Sequence, residues 1–164
     1  MNKFIRTDRL IGKFQMTGSN IFNGSPNPDG NTAGLAKILL NGKNYETLNL
    51  TDYVIGVYGQ KLPNDQFDEV IAKIKAADVL VIGSPLYWHN ICGSVRTLLD
   101  RCYGPVGQGE LSGKLFFIFQ GAAPEKWMLE AGEYTMSRFA GLYGLSYEGM
   151  IVNSSDAKKL SAKV

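Results

Sequence analysis

A run of small and polar residues between positions 24 and 32 has the composition of an anion-binding loop. It reads Gly24-Ser25-Pro26-Asn27-Pro28-Asp29-Gly30-Asn31-Thr32 and leads directly into an apolar, helix-like segment. Glycine lets a backbone approach an anion closely, and the first amides of a helix are unpaired at the positive end of its dipole. The residues that we expect to hold the anion are Ser25, Asn27, Gly30, Asn31 and Thr32. An ordinary turn followed by a capped helix would use the same residues.

The spacing of this loop excludes two well-known nucleotide-binding loops. A nucleoside triphosphate P-loop requires Gly-x-x-x-x-Gly-Lys-Ser/Thr, but here five residues separate Gly24 from Gly30, and Asn31 follows the second glycine. The dinucleotide pattern Gly-x-Gly-x-x-Gly is also missing. An anion bound here would therefore be held without a lysine.

Two further segments could contact a flat ligand. The apolar run Val79-Leu80-Val81-Ile82 is followed by Gly83-Ser84 and then by Pro85, Leu86, Tyr87 and Trp88. Offset stacking of an aromatic pair adds about 0.5–1.5 kcal/mol beyond area burial, so Tyr87 and Trp88 would flank a planar ring system. Such aromatic residues also pack on a neighbouring helix or a second subunit. The third segment is Gln120, Gly121 and Ala122, whose small residues and amides would clasp the edge of a ring.

Short β-like runs alternate with amphipathic helical segments, which is the pattern of βαβ units. We expect strands at residues 20–23, 45–50, 78–82, 114–120 and 147–152, and helices at 32–40, from 67, at 91–102, at 125–143 and within 153–164. Right-handed crossovers then give an α/β three-layer sandwich with a doubly wound, five-stranded parallel sheet in the flavodoxin-like order 2-1-3-4-5. Ligands bind such sheets at the carboxyl ends of the strands, where the order reverses. The three segments would meet there, which suits a mononucleotide with a planar head, and flavin mononucleotide (FMN) fits best.

Several boundary features follow from local chemistry. Asn41-Gly42 is a good left-handed terminator for the first helix, and Asn64-Asp65 precedes the second. Ser154, Ser155 or Asp156 would cap the last helix. We expect a single domain over residues 18–164, preceded by an N-terminal extension, residues 1–17, of unknown order.

The composition excludes several classes of protein. With 17 basic and 15 acidic residues the net charge is only +2, which disfavours a nucleic acid partner. The longest uninterrupted apolar stretch, Leu115 to Phe119, is far shorter than the roughly 20 residues of a membrane span, and no signal-peptide pattern is present, so we expect a cytoplasmic protein without a membrane partner. Cys92 and Cys102 would lie about 15 Å apart on one helix and should be free thiols. No metal-ligand spacing is present.

The three segments together resemble the flavodoxin-fold NAD(P)H-dependent FMN reductases and quinone reductases. The resemblance covers about residues 20–152 and includes Gly93, Val95-Arg96 and Leu99-Asp100-Arg101 in addition to the loops above. It implies that the first loop holds the FMN phosphate, that residues 85–88 and 120–122 contact the isoalloxazine, and that NADPH or NADH donates hydride. A small-molecule acceptor such as a quinone or free flavin would take it up. It also implies a homodimer that often completes the flavin pocket, with Asp100 and Arg101 in structural or dimer contacts.

The chain departs from that family at two places. Many relatives carry a basic residue directly after Gly-Ser-Pro, whereas Asn27 stands here and Asp29 follows two positions later. The iron–sulfur relatives carry a cysteine cluster near residues 57–67, where this chain has no cysteine, so we expect no cluster.

Three functions are compatible with the sequence. The first is hydride transfer from NAD(P)H to FMN and on to a planar acceptor by a ping-pong mechanism, for which no acid or base is obligatory. His89, the only histidine, is a weak candidate for protonating the acceptor, although a histidine at the start of a helix usually bonds to backbone or solvent. The second is an electron carrier of flavodoxin type, but such carriers are strongly acidic, and the chain beyond its first fifteen residues has a net charge of −1. The third is a flavin-free binding or regulatory domain of the same fold.

Overall fold

The computed structural model describes residues 18–164, and the expected N-terminal extension lies outside these residues. The strands are β1 (Ser19–Asn23), β2 (Tyr45–Asn49), β3 (Val79–Tyr87), β4 (Asn90–Ile91), β5 (Lys114–Gln120) and β6 (Ser146–Ile151). The helices are α1 (Asn31–Leu40), α2 (Phe67–Lys75), α3 (Gly93–Cys102), α4 (Lys126–Tyr143) and α5 (Ser154–Ser161), and a single 3-10 turn spans Leu50–Asp52.

The sheet has the expected parallel core. Its order is β2-β1-β3-β5-β6, with every neighbouring pair parallel, and the short β4 pairs antiparallel with β3. Leaving β4 aside, this is the order 2-1-3-4-5, so the predicted flavodoxin-like class is confirmed. The register places Asn23 opposite Asn49 on one side and opposite Gly83 on the other.

Helices cover both faces of the sheet and so make three layers. Ile21, Val81 and Phe116 point toward a core that includes α1 and α5, whereas Phe22, Ile82 and Phe117 point toward the core that includes α2, α3 and α4. This alternation follows from the two-residue period of a strand. The central strands are buried on both faces, as their continuous apolar runs predict.

The third strand is longer than expected. The sequence predicts its end at residue 82, but pairing with β5 continues from Gly83 opposite Ile118 to Pro85 opposite Gln120. Leu86 and Tyr87 then pair with Ile91 and Asn90 of β4 in a hairpin. Segment 85–87, which we expected to form a loop, is therefore strand, because a partner strand compensates for a composition that by itself indicates a turn.

The same hairpin corrects the positions of His89 and Ile91. Trp88 and His89 form its two-residue turn, with φ of 47° and 64° respectively. His89 is therefore in a hairpin turn rather than at the start of a helix, and Ile91 belongs to β4 rather than to the apolar stripe of α3. Both turn residues have the positive φ that two-residue hairpins of type I′ require.

One helix terminus differs from expectation. The cap of α5 is Asn153 instead of Ser154, Ser155 or Asp156, and its side chain accepts hydrogen bonds from the amides of Ser155 and Asp156. An asparagine one residue earlier in the chain can reach both amides, which is the usual capping geometry. The first helix ends as predicted, since Asn41 adopts the left-handed conformation.

Candidate functional site

The first loop lies directly against the end of β3. The Gly24 amide donates to the Gly83 carbonyl over 2.8 Å, and the Gln120 side-chain amide donates to the Thr32 hydroxyl over 3.3 Å. The segments after the first, third and fourth parallel strands therefore meet at one end of the sheet, where the topology predicted a site. This confirms that the loop at 24–32 and the residue Gln120 are brought together.

Glycine is required at two of these contacts. A Cβ atom at Gly24 would lie 2.5 Å from Val95 Cγ2 and 2.7 Å from Cys92 Sγ, and a Cβ atom at Gly83 would lie 2.4 Å from Thr32 Cγ2. Such separations are far below carbon–carbon contact distance. The missing side chains thus allow α3 and the first turn of α1 to pack directly on the ends of the strands.

A series of hydrogen bonds between residues close together in the chain orders the loop itself. The Ser25 amide donates to Asn23 Oδ1, the Asn27 amide to Ser25 Oγ and the Asp29 amide to Asn27 Oδ1, each over 3.1 Å. These are turns in which a side chain accepts from the amide two residues further on. The two prolines of the loop, at positions 26 and 28, have no amide hydrogen.

The available donors are consequently at the start of α1. The Gly30 amide donates to the Asn27 carbonyl and the Gly34 amide to the Gly30 carbonyl. Among the described residues, the amides of Asn31, Thr32 and Ala33 donate to no acceptor, as expected for a first helical turn. The backbone amides of Ser25 and Asn27 are already used within the loop, so these two residues could offer only their side chains to an anion.

A groove of about 730 Å³ opens beside these amides. Of the predicted site residues it is lined by Asn27, Gly30, Asn31, Gln120 and Gly121. Its remaining lining residues are Asp29, Gly34, Leu35, Ile38, Val152, Asn153 and Ser154. Asp29 is therefore the one charged residue of the described lining, and an anion here would be held by amides, polar side chains and the helix dipole, without a countercharge from the lining.

The other predicted site residues do not line this groove. Ser25 and Thr32 are buried beneath it, and Thr32 is only 1% exposed. Leu86 packs toward Gly121, where an added Cβ would lie 3.1 Å from Leu86 Cβ. Pro85, Tyr87, Trp88 and Ala122 lie outside the lining.

The aromatic pair lies at the tip of the hairpin. Tyr87 is 49% exposed and Trp88 is 95% exposed, so neither side chain is held in a core. The His89 ring meets the Trp127 ring edge-to-face with centroids 5.5 Å apart, and Trp127 Nε1 donates to Glu125 over 2.8 Å. The turn therefore rests on the beginning of α4 and presents an indole to solvent.

Several residues that the sequence did not indicate support the loops. Ser84 Oγ accepts from the Cys92 amide over 2.9 Å and donates to the Pro85 carbonyl, while Ser94 Oγ donates to the Gly24 carbonyl over 3.0 Å. Asn23, which starts the hydrogen-bond series of the first loop, is fully buried. The available signal for Asn23 was a polar residue at the end of a strand, directly after the apolar pair Ile21-Phe22 and directly before Gly-Ser.

Arg101 has a structural role. Its guanidinium makes a two-point contact with the Asp65 carboxylate, with Nη1–Oδ2 at 2.6 Å and Nη2–Oδ1 at 3.2 Å, and donates to the Gly56 carbonyl over 2.9 Å. It also lies over the Phe67 ring, 4.6 Å from the centroid. Hydrogen bonding from Arg101 holds the pKa of Asp65 at about 2. The loop before α2 is thereby fixed to α3.

A second groove, of about 450 Å³, lies between α3 and α4. Exposed apolar side chains, Tyr58, Tyr103 and Leu142, form much of its wall. Arg96, which pairs with Asp100 over 3.0 Å, and Arg138 lie at the same groove. It is separate from the groove beside α1.

Cys92 and Cys102 are both buried free cysteines, as predicted, and burial raises the pKa of the Cys102 thiol to about 12. Within residues 18–164, no group of three or more His, Cys, Asp or Glu side chains is placed to hold a metal ion. No described helix combines the length and the apolar character needed to cross a membrane.

The fold and site define a flavodoxin-like α/β domain in which, among the described residues, the first amides of α1 are unpaired at the carboxyl edge of the sheet. The family model described as NADPH-dependent FMN reductase matches residues 20–158, and the chain therefore belongs to that family. The match includes all three predicted site segments.

The similarity to individual relatives covers only about half of the chain. The chain is 32% identical over 92 residues to an iron–sulfur flavoprotein of Methanocaldococcus jannaschii, covering 48% of each chain. It is 28% identical over 82 residues to an NAD(P)H dehydrogenase (quinone) of Geobacter sulfurreducens, covering 50% of this chain and 38% of that protein. The chain thus spans about half or less of the length of these two relatives.

Solved structures confirm the fold. The Trp repressor binding protein of Bacillus subtilis superposes with a TM-score of 0.70 at 21% identity, covering 88% of this chain and 98% of that one. An azoreductase of Bacillus anthracis gives a TM-score of 0.66 at 17% identity and covers 91% and 100% of the two chains. At this identity the likeness concerns the fold alone.

Proposed function

We propose that the protein binds FMN and transfers hydride from NAD(P)H, through the flavin, to a quinone, a free flavin or a similar planar acceptor. The observation that carries this proposal is the set of three unpaired amides at the start of α1, above a loop whose other donors are already used. A phosphate monoester matches such a set, since helix N-termini bind anions through amides and dipole. Membership of the NADPH-dependent FMN reductase family supports the same ligand.

The residues present suit the phosphate end of FMN. The amides of Asn31, Thr32 and Ala33 would hold the phosphate, and the side chains of Ser25 and Asn27 could add donors. Gly30 lets the loop turn into the helix, where an added Cβ would lie 3.2 Å from the Asn27 side chain. Since no cation lines the described groove, the affinity would depend on hydrogen-bond geometry rather than on net charge.

The ring end would lie toward β3 and β5. Pro85, Leu86, Tyr87 and Trp88 on one side, and Gln120, Gly121 and Ala122 on the other, are the residues that we assign to the isoalloxazine. When bound, the flavin supplies the redox chemistry, accepting hydride from a nicotinamide and passing it to the acceptor. This chain's part is to orient both ligands, and amides near Gly121 would favour negative charge on a ring edge. His89 stays a weak candidate for donating a proton to the acceptor.

The test is the visible spectrum of the purified protein before and after addition of FMN, followed by NADPH and NADH oxidation with a quinone. We expect bound FMN and oxidation of at least one nicotinamide. Bound flavin that ignores both nicotinamides would favour the electron carrier. Colourless protein that cannot take up FMN would favour a flavin-free domain. The observation that favours this alternative is the negative charge of Asp29 in the groove.

We also infer that the protein forms a homodimer through the groove between α3 and α4. Tyr58 and Tyr103 meet edge-to-face there with centroids 5.8 Å apart, yet both remain well exposed, as does Leu142. A two-fold contact would bury this face against itself. Sedimentation of Tyr103→Glu should show monomer where the natural protein shows dimer. Tyr45→Glu, on the exposed face of β2, is the matched control and should leave the mass unchanged.

A further inference from the structure

Asn23 is a fully buried polar side chain at the carboxyl end of β1. Burying an amide is costly unless its donors and acceptor are paired. Its Nδ2 donates to Asn49 Oδ1 over 3.1 Å, and its Oδ1 accepts from the Ser25 amide over 3.1 Å. Asn49, the residue opposite Asn23 in β2, donates in turn to Asp52 over 3.3 Å. One carboxamide thus ties the ends of two strands to the first loop.

The contact to Ser25 is the first of three linked turns. Ser25 accepts from Asn27, and Asn27 accepts from Asp29, so each step fixes the next pair of residues. With prolines at the intervening positions 26 and 28, the backbone donors of residues 25–30 are all satisfied internally or missing. The amides left for a ligand are those at the beginning of α1.

We infer that Asn23 is a positioning residue for the phosphate of the flavin. It does not touch the ligand; it holds the loop at residues 24–30 so that the first amides of α1 converge on one anion. The inference rests on the proposed function, because it assumes that the anion is the FMN phosphate.

A merely structural role makes a different prediction from a positioning role. If Asn23 only stabilised the sheet, its loss would weaken all flavins equally or none. If it orients the phosphate-binding amides, its loss weakens FMN but spares riboflavin, which has the same ring and ribityl chain without the phosphate. The ratio of the two dissociation constants therefore separates the two roles.

Asn20 provides a matched control on the same strand. It is 8% exposed and donates a single hydrogen bond, 3.1 Å long, to the Lys73 carbonyl at the opposite end of the sheet from the loop. Asn20→Ala removes a buried amide from β1, as Asn23→Ala does, but leaves the loop contacts in place. Asn23→Ser is a milder variant, since a hydroxyl can still accept from an amide two residues on.

The experiment measures FMN and riboflavin binding by flavin fluorescence, together with amide hydrogen exchange in the flavin-free protein. In Asn23→Ala we expect about tenfold weaker FMN binding, which corresponds to the loss of about one hydrogen bond to a charged group, and riboflavin binding should change by less than about twofold. The amides of Ser25, Asn27 and Asp29 should exchange faster. Asn23→Ser should fall between Asn23→Ala and the natural protein, and Asn20→Ala should change neither the ratio nor the exchange.

Three results would overturn the inference. If Asn23→Ala weakened FMN and riboflavin binding equally, Asn23 would have only a structural role. If Asn20→Ala changed the ratio of the two dissociation constants as much as Asn23→Ala does, the effect would not be specific to the loop. Unchanged FMN binding in both Asn23 variants would show that the amides converge without it. Failure of the natural protein to bind either flavin would instead refute the proposed function and the ligand assumed here, and amide exchange would still report whether Asn23 orders the loop.

Discussion

Substitution of Gly83 by alanine should disturb the fold and the proposed phosphate site together. An alanine Cβ would lie 2.4 Å from Thr32 Cγ2, more than 1 Å inside the ordinary separation of about 3.5–4.0 Å between two carbon atoms. Neither side can move freely, because Gly83 bonds to Gly24 and the buried Thr32 hydroxyl bonds to Gln120. Overpacking of a well-packed site costs about 1–3 kcal/mol of stability, so we expect the free energy of unfolding to fall by about 2 kcal/mol.

A second substitution should relieve the clash. Thr32→Ser removes Cγ2 and keeps the hydroxyl that accepts from Gln120. Alone it should cost about 1 kcal/mol, since it deletes one buried methyl group. The double variant, Gly83→Ala with Thr32→Ser, should also lose only about 1 kcal/mol of unfolding free energy, whereas the two single losses would add up to about 3 kcal/mol. The coupling between the two sites is therefore expected to be about 2 kcal/mol.

Urea and thermal unfolding of the four proteins measure this coupling. For a domain of this size, 2 kcal/mol corresponds to a fall in Tm of about 4–8 °C. Gly141→Ala in α4 is the control, because a Cβ there meets no atom within 4 Å, and it should stabilise the helix by up to about 1 kcal/mol. Additive losses in the double variant would refute the reasoning, since they would show that the Thr32 methyl group is not what Gly83 accommodates.

Three other predictions concern the ion pair, the loop charge and the hairpin turn. Since Arg101 holds the pKa of Asp65 at about 2 against an ordinary 3.8, the pair contributes about 1–2 kcal/mol above pH 5 that is lost as the pH falls toward 2; urea unfolding of Asp65→Asn should thus depend less on pH between 7 and 3, and parallel curves would contradict this. Asp29→Asn should tighten FMN binding about two- to fivefold at low salt and leave riboflavin unchanged, because it removes one exposed negative charge near a dianion; equal gains for both flavins would argue against a phosphate there. His89→Gly should raise stability by about 1 kcal/mol in thermal unfolding, since glycine adopts the positive φ of the turn without strain; a loss would indicate that the Trp127 contact outweighs the strain.

The sequence was sufficient for the features that depend on apolar periodicity. The predicted strand at 114–120 coincides with β5, because a continuous apolar run bounded by Lys114 and Gln120 has few other structures open to it. The strand order followed from the right-handed crossovers, and the end of α1 from the left-handed preference of Asn41. Each of these inferences uses either residues close together in the chain or the order in which the elements follow one another.

The features that the sequence did not reveal depend on partners far apart in the chain. The extension of β3 through Gly83, Ser84 and Pro85 depends on pairing with β5, more than thirty residues later. The burial of Asn23 depends on Asn49, and the ion pair of Arg101 depends on Asp65, 36 residues earlier. From residue type alone, residues 83–85 indicate a turn, Asn23 an exposed amide and Arg101 a surface charge. Their actual environments depend on contacts that form only in the folded chain.

The contacts at the sheet edge indicate where specificity can vary. The first loop, β3 and β5 are linked through Gly83, Thr32 and Gln120, so the proposed phosphate site and one side of the proposed ring site behave as one packed unit. The turn of Trp88 and His89 is different, since it has positive φ angles, is exposed at Trp88 and contacts α4 through the His89–Trp127 ring pair. Because an exposed indole has little packing to lose, changes at Trp88 should alter the choice of planar acceptor while stability is unaffected. Substitutions at Thr32 or Gly83 should instead alter stability and FMN binding together.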